Sequence, residues 1–134
     1  MRFRPFRKDD WYMDGAIEPI EIPCLDGLEK AERGVAITAE DSQGVIGCGG
    51  IAFWDDRTGE LWVRLSGRIK EQPLQAIDAI CAGFRILKDS VDVDIFCRCE
   101  KDFAKANRLA KWLGFRPTEQ YTQYNGKQYL IYRL

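Results

Sequence analysis

At 134 residues the chain has the size of a single domain, 1–134, able to bury one apolar core without disulfide or metal support. Its 46% hydrophobic and 31% charged residues exclude wholesale disorder, and a net charge of −1 offers no general attraction to nucleic-acid phosphate. No apolar run reaches the ~18 residues of a membrane span, and MRFRPFRKDD lacks the apolar stretch of a secretion signal. A cytoplasmic protein that uses neither nucleic acid nor membrane is expected.

In chain order, residues 2–6 read as a short strand broken by Pro5. Arg2, Arg4, Arg7 and Lys8 make this end basic, but Asp9 and Asp10 follow at once, as on a solvated edge strand. Asp9 or Asp10 is placed to cap a helix that Gly15 ends early. After Pro19 and Pro23, the helical spacing of Leu25, Leu28 and Ala31 predicts a second helix stopped by Gly34. Residues 35–38 and 45–54 are strands around the turn residues Asp41-Ser42-Gln43-Gly44, and 55–59 is a further turn. Gly47, Gly49 and Gly50 precede no helix, so they mark close backbone approach rather than a dinucleotide loop.

The segment 60–66 alternates, with Leu61, Val63 and Leu65 on one face and Trp62, Arg64 and Ser66 on the other. Pro73 suits a first helical position, and Leu74, Ile77, Ile80, Cys81, Phe84 and Leu87 form a stripe that predicts a helix over 73–88. Alternation returns at 91–99. Phe103, Ala106, Leu109, Ala110 and Leu113 mark a last helical face ended by Gly114, and Asn125-Gly126 predicts a hairpin between 120–124 and 128–134. Strand, helix and strand over 60–99 make a β-α-β unit with parallel neighbouring strands inside a mixed sheet.

Five cysteines, at 24, 48, 81, 97 and 99, are expected to be reduced, buried and inert. Cys97 and Cys99 share one strand face but stand too far apart for a comfortable disulfide. With no histidine in the chain, a zinc site lacks ligands, no metal is expected, and Ser/His or Cys/His hydrolysis is excluded.

The segment DVDIFCRCEKDFAKANRLAKWLGFRP, with the order of elements before it, resembles the acyl-CoA-binding core of the GNAT superfamily of N-acetyltransferases. That resemblance implies an α/β fold: a mixed, mostly antiparallel sheet around a central β-α-β, with helices on both faces. It implies acetyl-CoA as co-substrate and an amine, small or on a protein, as acceptor. Aligned on Gly114-Phe115, Ala106 and Leu109 fall on the family's Ala and Leu. Ala110 stands where the family has its general-acid tyrosine, and Phe103 where it has asparagine. The family's glycine-rich pyrophosphate loop corresponds here to SGRIKEQP, with one glycine, a carboxylate at Glu71, and Pro73 in place of an N–H donor.

On this resemblance Leu65, Ser66, Gly67, Arg68 and Lys70 are the cofactor-binding candidates, with Arg68 and Lys70 offering point charges to phosphates. Glu100, at the strand end beside the cleft, is the candidate base, or else a charge at a helix start. Glu60 is expected at the far end of the sheet. Trp54 and Trp62 are acceptor-pocket or core residues. WVRLSGRIK and the ending EQYTQYNGKQYLIYRL also resemble small acetyltransferase-like proteins of tailed-phage virion gene clusters, which implies a phage or prophage origin and phage structural proteins as partners. Two functions stay open: a working acetyltransferase, or a non-enzymatic protein with weak or absent acetyl-CoA binding, at work in the cytoplasm or on the virion. The missing tyrosine and loop favour the second.

Overall fold

The computed structural model describes all residues, 1–134. Eight strands form one sheet: β1 (Arg2–Pro5), β2 (Ile17–Ile20), β3 (Gly34–Asp41), β4 (Gly44–Phe53), β5 (Thr58–Leu65), β6 (Asp94–Glu100), β7 (Arg116–Tyr124) and β8 (Lys127–Arg133). Their order is β1-β3-β4-β5-β6-β8-β7, with β2 paired to β5 off that path. Only β5 and β6 run parallel; every other ladder is antiparallel. The helices are α1 (Glu29–Glu32), α2 (Pro73–Asp89) and α3 (Ala104–Trp112). This is a mixed α+β architecture, with the β-α-β unit read from 60–99 at its centre.

The side-chain alternation seen in the sequence sorts the core into two layers. Leu61, Val63 and Leu65 of β5 and Ile95, Cys97 and Cys99 of β6 pack against Ala79, Ile80, Phe84 and Leu87 of α2 and Ala106 and Ala110 of α3. On the opposite face Cys48, Ala52 and Trp62 pack against Trp11, Ile22 and Leu25. Gly50 makes that second layer feasible, because a Cβ there would stand 2.4 Å from the Val35 carbonyl oxygen and 2.9 Å from the Trp62 indole nitrogen. On α3 the innermost residues are Ala106 and Ala110, both fully buried, while Phe103, Leu109 and Leu113 flank them half-buried.

The N-terminal third departs from expectation. The helix predicted after Asp9 is a 3₁₀ turn, Lys8–Tyr12, in which Asp10 is buried rather than a solvated cap. The helix predicted over 25–31 shrinks to the single turn of α1. Gly15 and Gly27 hold positive φ, and Pro19 and Pro23 remove N–H donors, so neither segment can propagate an α-helix. The stretch between them is the short strand β2, which periodicity did not announce.

Candidate functional site

β5 and β6 are hydrogen-bonded neighbours only at their starts, through Thr58↔Asp94, Gly59↔Ile95 and Glu60↔Phe96. Beyond that point the ladder ends and the two strands part. Backbone groups on a freed edge need partners, and β2 supplies them on the β5 side: Ile20 pairs with Val63 and Ile17 with Leu65. The cleft therefore has Glu60 at its apex, where the parallel pairing stops, and not at the far end of the sheet.

Several contacts fasten the segment Asp14–Ile20 in this place. Glu18 accepts from the Arg64 guanidinium at 2.6 Å and from the Lys30 ammonium at 2.9 Å. Lys30 is only 3% exposed and lies 5.0 Å from the Trp11 ring centroid and 5.8 Å from that of Trp62. A buried ammonium needs such partners, and here a carboxylate and two aromatic faces provide them. At the cleft mouth the Gly67 N–H donates to the Asp14 carbonyl at 2.9 Å. A Cβ on Gly67 would sit 2.8 Å from the Gly15 carbonyl oxygen, so the approach of the two loops depends on that glycine.

The loop after β5 turns its donors inward. Gly67–Ile69 form a 3₁₀ turn capped by the Ser66 hydroxyl, which accepts from the Arg68 N–H. The N–H groups of Ile69, Lys70 and Gln72 donate to the carbonyls of Ser66, Gly67 and Ile69. Leu65 and Ser66 are buried. Arg68 reaches away from the cleft to the β3–β4 turn, donating to Asp41 at 2.6 Å and to the carbonyls of Gly44 and Val45. The Gln43 N–H and Arg68 together hold the Asp41 carboxyl below its usual range. Of the two cations offered by the sequence for phosphate, only Lys70 faces the cleft groove.

That groove, of about 650 Å³, lies between α2 and α3 over β2 and the end of β5. Its lining is mainly apolar, from Ile17, Leu65, Ile69, Ile80, Phe103 and Leu109, and its cations are Lys70, Lys105 and Arg108. Lys105 and Arg108 carried no signal in the sequence, since charges on a helix surface usually solvate it.

Glu100 ends β6 with its side chain 29% exposed and 3.8 Å from the Lys127 ammonium. Its carbonyl accepts from the Phe103 N–H and from the Asn107 amide, so its backbone serves the entry to α3. Ala110 is fully enclosed in the core and offers no side-chain proton. The nearby polar node is Asn107, which donates to the carbonyls of Glu100 and Phe103 and accepts from the Tyr132 hydroxyl at 2.7 Å. Burial pushes the Tyr132 phenol up to about 12.

A carboxylate that sequence reasoning undervalued is Glu60, fully buried on the Trp62 face. Its Oε1 accepts from the Trp54 indole and from Arg98, each at 2.9 Å, while Oε2 has no partner. Burial raises its pKa, against the opposing pull of Arg98. The signal was present, because alternation puts Glu60 on the same face as Trp62 and Arg64. Trp54 thus anchors Glu60, and Trp62 is a core residue.

Cys97 and Cys99 are both buried, and the Cys99 contact together with burial keeps the Cys97 thiol well above its ordinary value. Burial likewise lifts Cys48 to about 12. The Cys97 and Cys48 thiols stay protonated and make poor nucleophiles. Cys24, expected buried, is exposed on the loop after β2. No three His, Cys, Asp or Glu side chains converge as a metal site would need, and no helix is long and apolar enough to cross a membrane.

No family model matches the sequence, and no curated protein does. Solved structures do match in fold. A ribosomal-protein-alanine N-acetyltransferase from Brucella melitensis superposes with a TM-score of 0.71 at 15% identity, covering 100% of this chain and 99% of that one. A chimera of the Vibrio cholerae spermidine N-acetyltransferase SpeG with hSSAT gives 0.70 at 13% identity, covering 100% and 95%. A GNAT family acetyltransferase from Elizabethkingia anophelis with acetyl-CoA bound gives 0.62 at 13% identity, covering 90% and 98%. The chain has the fold of the GNAT acetyltransferases.

Proposed function

We propose that this protein keeps the acetyltransferase fold without the transferase chemistry and serves in binding or assembly. The observation that carries the reading is the pairing of Ile17 and Ile20 with Leu65 and Val63, which fills the edge of β5 inside the cleft. Acetyl-CoA does not fit the residues in this arrangement. The N–H groups of Gly67, Arg68, Ile69, Lys70 and Gln72 are committed to Asp14 and to the 3₁₀ turn, and the Arg68 guanidinium is committed to Asp41. Ala110 supports the same reading, because no acid stands there to reprotonate a thiolate. The likeness of WVRLSGRIK and of the C-terminal hairpin to phage virion proteins supports a phage or prophage origin, with a virion protein as partner.

One observation favours the alternative, an acetyl-CoA-dependent N-acetyltransferase acting on an amine. Lys70, Lys105 and Arg108 border the groove, and the Elizabethkingia neighbour was solved with acetyl-CoA bound. In that case Asp14–Ile20 must leave the cleft, with Glu100 or the apical Glu60 as the base. Calorimetric titration with acetyl-CoA, alongside a thiol-release assay over a panel of amines, separates the two. The proposed reading predicts neither heat of binding nor release of coenzyme A thiol. Sub-micromolar binding with turnover would establish the enzyme instead.

A further inference from the structure

We propose that the groove between α2 and α3 binds a long-chain carboxylate, its tail on the apolar floor and its head on Lys70, Lys105 and Arg108. The proposal rests on the reading above, in which β2 stays in the cleft and itself forms part of the floor. Three observations lead to it. The groove, at about 650 Å³, has the size of sites that enclose small organic ligands. Its floor is aliphatic and aromatic, and no carboxylate lines it. Its three cations come from two separate elements, the loop before α2 and the helix α3, yet none of them takes part in a salt bridge.

Other cations of the chain, such as Arg85 and Lys88, also lack a carboxylate partner, so what marks these three is their place together along an apolar trough that no carboxylate lines. Unpaired cations bordering an apolar trough complement an amphiphile with one anionic end: burial of the tail supplies the attraction and the charges fix its direction. A single acyl chain asks for no backbone hydrogen bonds, so the occupied edge of β5 is no obstacle to it. A ligand with a peptide-like arm would need that edge. Trp112 lies against the groove with 68% of its surface exposed and can report on an occupant.

The test is a titration of the full chain with dodecanoate below its micellar concentration, followed by tryptophan fluorescence and by calorimetry. The proposal predicts saturable binding with a change in emission that Trp112→Phe removes while the calorimetric signal persists. Dodecanol, of equal length and uncharged, should bind at least tenfold more weakly. Combining Lys70→Ala, Lys105→Ala and Arg108→Ala should weaken dodecanoate by at least tenfold. These three side chains are exposed, so an unchanged circular dichroism spectrum certifies the fold. No saturable binding, equal affinity for dodecanol, or full affinity in the triple variant would each overturn the proposal. Displacement of dodecanoate by acetyl-CoA would assign the groove to the coenzyme and overturn the reading of β2 as well. Silence of both ligands overturns the carboxylate proposal alone.

Discussion

Between Arg2 and Arg33 the chain is fastened to the sheet by buried charged side chains as well as by apolar ones, whereas α2 and α3 are fastened by aliphatic and aromatic packing. Asp10 is the clearest case on the first side. It accepts two bonds from Arg4, one from the Arg7 N–H and one from the Thr38 hydroxyl, all between 2.7 and 2.8 Å. Glu18 repeats the pattern with Arg64 and Lys30. On the other side Ile80, Phe84, Ala106 and Ala110 meet β5 and β6 with scarcely a polar contact. Apolar packing fixes a frame that many sequences can satisfy. A charge network holds one particular segment in one place, here the segment that fills the cleft.

The sharpest way to break this contrast is to remove its best-satisfied charge. Asp10→Ala leaves Arg4 nearly buried with only Glu40 to pair with, and should cost about 3–5 kcal/mol at neutral pH in chemical unfolding. Burial works against the Asp10 charge, but Arg4, the Arg7 N–H and Thr38 outweigh it and hold the carboxyl below its ordinary value. Its contribution is therefore complete above the ordinary aspartate value, about 3.9, and disappears as pH falls through the lower folded one. The gap between wild type and variant should close in acid.

Arg98→Met attacks the buried ion pair of β6 with Glu60 and should cost about 2–3 kcal/mol at neutral pH. The sign with pH is the same but the reason differs. Glu60 is held above its ordinary value by burial, so the folded state takes up a proton readily. Without Arg98 the penalty is greatest once Glu60 is ionised, and it shrinks as acid neutralises the carboxyl. Unfolding curves across pH check both statements.

Leu109→Ala samples the apolar side. A fully buried leucine would cost ~2–5 kcal/mol, but Leu109 is half-buried at the groove, so about 1–2 kcal/mol is expected, without dependence on pH. The smallest effect belongs to Glu18→Gln, about 1 kcal/mol, since the amide still fills the site while losing charge to Arg64 and Lys30. Its signature is local: amide exchange should accelerate in residues 14–20 and leave α2 unchanged.

The two sides were also unequally legible in the sequence. Alternation over 60–66, the stripe over 73–88 and the Asn125-Gly126 turn each register a short-range rule, and the strands, helix and hairpin lie where those rules put them. The phosphate loop could be read as poor in glycine, yet not that Arg68 would turn to Asp41, a residue 27 positions away. β2 was hidden for a related reason. A four-residue strand containing Pro19 has no period of its own, and its place depends on Leu65, Arg64 and Lys30, which only the folded sheet assembles. Lys105 and Arg108 look like solvated helix charges until the groove beneath them is visible.

The central claim is that Asp14–Ile20 holds the free edge of β5 and does not yield it to a coenzyme. Nuclear Overhauser contacts across β2 and β5 test it most directly, measured on the free protein and again with excess acetyl-CoA. The account predicts contacts between Ile17 and Leu65 and between Ile20 and Val63, unchanged by acetyl-CoA. Their absence in the free protein, or their loss on adding acetyl-CoA together with shifts along Val63–Leu65, would contradict it.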